Sequence, residues 1–101
     1  MIDIKIEKSR KLLILSALGH ADYAPYGTDI VCAGVSSIIM GLCAALGDGN
    51  TETQISSGKV IIRTKSCEEA KYIFKFAEKA LGLIAAEYPE HVKLATNNNA
   101  L

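Results

Sequence analysis

Tryptophan is absent from this 101-residue chain, and aromatic residues make up only 6% of it. A core without those large rings has to be assembled mainly from Ile, Leu, Val and Ala. An excess of charge is also missing: 11 Lys and Arg balance 11 Asp and Glu, for a formal net charge of zero. That balance counts against direct nucleic-acid binding, which needs a basic excess or a clustered basic face. It also leaves little repulsion between copies, which favours self-association. No apolar run approaches the roughly 18 residues of a membrane-spanning helix. Met1 leads straight into an alternating stretch, IDIKI, rather than into the basic and apolar segments of a secretory leader. The three cysteines, Cys32, Cys43 and Cys67, form no C-x-x-C pair, which counts against a structural zinc site. Their odd number, with no secretory context, suggests no pairing. The expectation is a cytoplasmic protein with reduced thiols, no metal and no cofactor.

The chain is long enough for one core, with little room for a second. Ile2, Ile4 and Ile6 alternate with polar residues, the period of a half-buried strand. After the polar turn EKSRK, Leu12–Leu18 is apolar almost throughout and reads as a central strand, the second arm of a hairpin. Residues 21–29, ADYAPYGTD, have the chemistry of a loop. Residues 29–46 read as a helix, with Asp29 or Thr28 as N-cap and Gly47 as stop. Its many small residues, among them Ala33, Ser36, Gly41 and Ala44, suggest close packing on the sheet. Thr51–Ser56 and Lys59–Thr64 read as two more strands joined through Ser57-Gly58. Ser66 and Glu69 form a capping box for a second helix reaching about residue 87. A short VKLA run follows. The expected order is β-β-α-β-β-α, an α+β fold whose mainly antiparallel sheet carries two helices on one face. Residues 1–96 form the single domain, and 97–101 are expected to be a disordered tail.

The chemistry concentrates in residues 19–36, GHADYAPYGTDIVCAGVS. With Asp29 as N-cap, Cys32 falls in the first helical turn. The positive end of a helix favours a thiolate, and free N–H groups there can hold the oxyanion formed when a carbonyl is attacked. A small buried hydrophobe is the plainer reading of a lone cysteine. His20 follows a strand end and a glycine, and a neutral imidazole can take the thiol proton. A ten-residue loop can fold back to bring the two together. Asp29 is a candidate orienter of the histidine, with helix capping at least as good an explanation. Ser36 lies one turn after Cys32 on the same face. Tyr23, Tyr26 and Gly27 are candidates for a flexible substrate wall.

The other candidates carry less. Cys67 stands near a helix start, but Glu68 and Glu69 beside it disfavour a thiolate. Cys43 reads as core and His91 as a solvated side chain. A thiol phosphatase needs an arginine six residues after its cysteine, and Ile38 occupies that position.

GHA at 19–21 followed by DIVCAGVS at 29–36 resembles the ribosomal-processing cysteine protease family, called Prp. The twelve-residue His–Cys spacing is part of the match, and the order of elements and the length are similar over nearly the whole chain. The resemblance implies a cysteine protease that removes a short N-terminal extension from a large-subunit ribosomal protein. It implies Cys32 as nucleophile and His20 as base, with Gly19, Asp29 and Ser36 in supporting positions. It further implies a homodimer and a mobile loop, here residues 21–28, that orders over an extended peptide. Two other readings compete. One is a non-catalytic ribosome-assembly or peptide-binding module that keeps the motif for structure. The other is a thiol enzyme of a different kind, acting by acyl transfer or amide hydrolysis on a small molecule.

Overall fold

Ile2, Ile4 and Ile6 all point the same way from strand β1 (Ile2–Lys8), and all three are buried. They meet Leu13, Leu15 and Ala17 of β2 (Leu12–Leu18) across an antiparallel register that sets Ile4 opposite Ala17 and Ile6 opposite Leu15. The chain is described by a computed structural model over residues 1–98. Its remaining elements are α1 (Ile30–Leu46), β3 (Thr51–Ser56), β4 (Lys59–Lys65), α2 (Glu68–Glu87) and β5 (Val92–Asn98). The five strands form one mixed sheet in the order β3-β4-β2-β1-β5. The apolar run at residues 12–18 is the middle strand, as its composition suggests. Both helices lie against the face carrying the isoleucines, so the α+β architecture is as expected.

Three details differ from the sequence reading. The first is a fifth strand. Val92–Asn98 pairs in parallel with β1, and Asn97 and Asn98 stand opposite Glu7 and Lys8. Those two asparagines were expected to open a disordered tail; the rest of that tail, 99–101, lies outside the described residues. The ladder comes from the free edge of β1, which local composition does not reveal. Glu78 of α2 fastens this edge, accepting from Lys8 Nζ at 2.8 Å and from Thr96 Oγ1 at 2.6 Å.

The second difference concerns α1. Its buried residues are Val31, Val35, Ile39 and Leu42, a stripe at helical spacing. Ala33, Ser36, Gly41 and Ala44 are exposed instead of packing on the sheet. The branched stripe removes more apolar area from water than the small residues would, so it takes the inner face.

The third is the α2 cap. The Ser66 N–H donates to the Lys11 carbonyl at 2.8 Å, which holds that residue at the sheet. The helix starts one residue later than expected. Cys67 is the N-cap, its sulfur accepting the Ala70 N–H at 3.5 Å.

Candidate active site

Strand β2 ends at Leu18, and the next residue must turn sharply. Gly19 has φ of +94°, and a Cβ there would collide with the Met1 carbonyl oxygen. Only glycine fits. Its N–H donates to the Gly58 carbonyl at 2.8 Å, tying the strand end to the β3–β4 hairpin. His20 leaves the sheet at this point. It is exposed, and its ring lies against Gly58.

The start of α1 is organised by Asp29. Its Oδ1 accepts the Cys32 N–H at 2.9 Å, which makes it the N-cap and puts Cys32 at the third helical position. Its Oδ2 accepts the N–H groups of Tyr23 at 2.9 Å and Ala24 at 3.4 Å. The bond from Cys32 holds the carboxyl below its ordinary value, and those from Tyr23 and Ala24 add to it against the opposing effect of desolvation. The two oxygens therefore divide their work between the helix and the loop. Neither bonds His20, so the orienting role considered for Asp29 is absent from this arrangement. The Cys32 N–H, which sequence reasoning left free for an oxyanion, is occupied by the cap. The carboxylate out-competes other acceptors because it is adjacent in sequence and charged.

His20 and Cys32 line one groove between the start of α1 and the β3–β4 hairpin. Gly19, Tyr26 and Ser36 line it as well. Cys32 is half-buried with its side chain against the core. The side-chain hydrogen bonds around the groove run through Asp29, Thr28 and His91. None joins the His20 ring to the Cys32 thiol. Catalytic contacts of this kind are often long before substrate binds.

Tyr23 and Gly27 are not brought to the groove. Tyr23 packs edge-on against Tyr88 at 5.4 Å and His91 at 5.3 Å between ring centroids. Gly27 takes φ of +88° with open space around it. His91, read from sequence as solvated, is half-buried and bonds the Ala21 carbonyl through Nδ1 at 2.8 Å. The hairpin wall, Ile55–Val60, escaped sequence reasoning. Its one signal, Ser57-Gly58, marks a turn and says nothing of what the turn touches. Among the described residues, no group of three or more His, Cys, Asp or Glu side chains is placed to hold a metal ion. No helix among them is long and apolar enough to cross a membrane.

The family profile described as cysteine protease Prp matches residues 1–93. The chain belongs to the Prp cysteine protease family. The ribosomal processing cysteine protease Prp of Staphylococcus aureus is 32% identical over 100 residues, covering 92% of this chain and 94% of its own. A crystal structure of the S. aureus Prp with a covalently linked product peptide superposes with a TM-score of 0.84 at 28% identity, over 98% of this chain and all of that one. A second, with a substrate peptide, gives 0.77 at 28% identity over 96% of this chain and all of that one. The superposition on the first of these covers nearly the whole chain.

Proposed function

We propose that this Prp-family protein is a cysteine endopeptidase that removes the N-terminal extension of a large-subunit ribosomal protein, with Cys32 as nucleophile and His20 as base. The observation that carries the reading is the groove: in a cysteine protease family, the one histidine and the one cysteine of the 19–36 motif line the same cleft. The S. aureus relatives, solved with substrate and product peptides, support a peptide in that cleft.

In this scheme the extended peptide lies between α1 and the hairpin. His20 takes the Cys32 proton, and the sulfur attacks the scissile carbonyl carbon. The oxyanion is held by N–H groups at the start of α1; the Cys32 N–H joins them by exchanging its Asp29 partner. When the C–N bond breaks, His20 returns its proton to the leaving amine, and a thioester remains on Cys32. Water then attacks the thioester, giving its proton to His20, and the thiol is restored. Met40, Ile55 and Tyr26 offer apolar contact to substrate side chains, which suits a protein with no net charge to attract a basic tail. Cytoplasmic location and a homodimer belong to the same reading.

The deciding experiment is cleavage of the N-terminally extended ribosomal protein of the same cell, read by mass. Wild type is expected to make a single cut, and Cys32→Ala and His20→Ala none. An intact substrate that still binds would favour the assembly module instead.

A further inference from the structure

The tip of the β3–β4 hairpin meets the imidazole of His20. Gly58 has φ of +70°, and a Cβ built on it would lie 2.9 Å from His20 Nε2 and 3.4 Å from Cε1. Carbon and nitrogen atoms that are not bonded do not approach so closely, so one side would have to move. The hairpin is held by the Ser56–Lys59 pairing and by the 2.8 Å bond from the Gly19 N–H to the Gly58 carbonyl. The imidazole hangs on two rotatable bonds and is exposed. Any side chain at position 58 therefore displaces the ring and leaves the hairpin in place.

We propose that Gly58 is a positioning residue for His20. Its missing side chain leaves the space the imidazole occupies at the edge of the Cys32 groove. Its carbonyl fixes the backbone of Gly19, one residue before the histidine. Two ends of the same short segment are thus referenced to one glycine on another strand. The inference rests on His20 being the base and goes beyond it, since it assigns to the hairpin the placement of that base.

Backbone strain is separable from displacement of the ring. Gly47 has nearly the same φ, +72°, with nothing within 4 Å of its would-be Cβ. Gly47 lies at ψ of −168°, a region that glycine alone adopts readily, so Gly47→Ala carries backbone strain of its own with no contact, whereas Gly58→Ala carries strain and contact. Gly58→Asn adds the same Cβ with a residue that tolerates left-handed backbone, and serves if the alanine variant folds poorly.

The measurements are cleavage of the extended ribosomal protein, the pH profile of Cys32 alkylation by iodoacetamide, and the ring resonances of the two histidines. A base misplaced by about 1 Å is expected to lower kcat about 100-fold. Gly58→Ala and Gly58→Asn are expected to show that loss with KM little changed, a shifted alkylation profile, and moved His20 resonances beside unmoved His91 ones. Gly47→Ala is expected to match wild type in all of these. If both Gly58 variants keep wild-type kcat, alkylation profile and His20 resonances while His20→Ala is inactive, the positioning role is wrong and the base assignment stands. If His20→Ala cleaves at the wild-type rate, the base assignment fails and the proposal falls with it.

Discussion

The carboxylate of Asp29 accepts the backbone N–H of Tyr23 at 2.9 Å across the loop that separates His20 from Cys32. The same carboxylate caps α1, so helix start and loop are one unit.

Removing that carboxylate should therefore loosen both. Asp29→Ala is expected to lower the thermal midpoint and to speed hydrogen exchange at the Tyr23 and Ala24 amides. Asp29→Asn retains a single acceptor oxygen and should preserve one of the two attachments. The pH dependence has a definite sign. The folded carboxyl lies below its ordinary 3.8, so its contribution is complete above that range and is lost as pH falls through the folded value. Protection of the Tyr23 amide is expected to persist near pH 3.8 and to disappear below it. Protection that fails well above that pH would show that another group holds the loop.

Thiol reactivity separates chemistry from access. Cys67 is exposed, while Cys32 and Cys43 are half-buried. Exposure alone would have Cys67 alkylated first. A working site has Cys32 first near neutral pH, and peptide mapping after brief iodoacetamide treatment reads the order. Cys67 reacting fastest would count against an activated Cys32.

The two tyrosines of the loop should behave differently. Tyr26 projects fully into solvent at the groove, and Tyr26→Ala is expected to raise KM with stability and kcat little changed. Tyr23 packs on Tyr88 and His91, and Tyr23→Ala is expected to cost about 1 kcal/mol of stability, the scale of an aromatic pair. Denaturant unfolding and cleavage kinetics together distinguish them. A double replacement that lowers only kcat would place these rings in the chemical step.

Glu78 fastens β1 and β5 to α2. Burial acts to raise its carboxyl, but the bonds from Lys8 and Thr96 outweigh it and hold the group below its ordinary 4.5. Its contribution is thus present above that value and is lost as pH falls through the folded one. Glu78→Ala is expected to cost about 1.5–3 kcal/mol, the range for hydrogen bonds to charged groups. The loss should shrink in acid, where the wild-type carboxyl is itself protonated. A cost that is constant with pH would mean that packing, not charge, is what the residue supplies.

The sequence by itself determined the local elements and the chemistry they carry. Alternation located β1, an apolar run located the central strand, and Asp29 with Gly47 bounded α1. The Gly-His pair and Cys32 were legible as a motif because the spacing between them lies within one short stretch of chain. Tertiary structure decided the rest. Val92–Asn98 became a strand because the edge of β1 was free to pair with it. Tyr23 and His91 found each other across 68 residues, and Asp29 turned its second oxygen to the loop instead of to His20. The hairpin came to form the far wall of the groove, with Gly58 under the imidazole. Apart from the Asp29 bonds, which span five and six residues, these are contacts between residues distant in the chain. They depend on strand order and packing, which periodicity and capping chemistry do not encode.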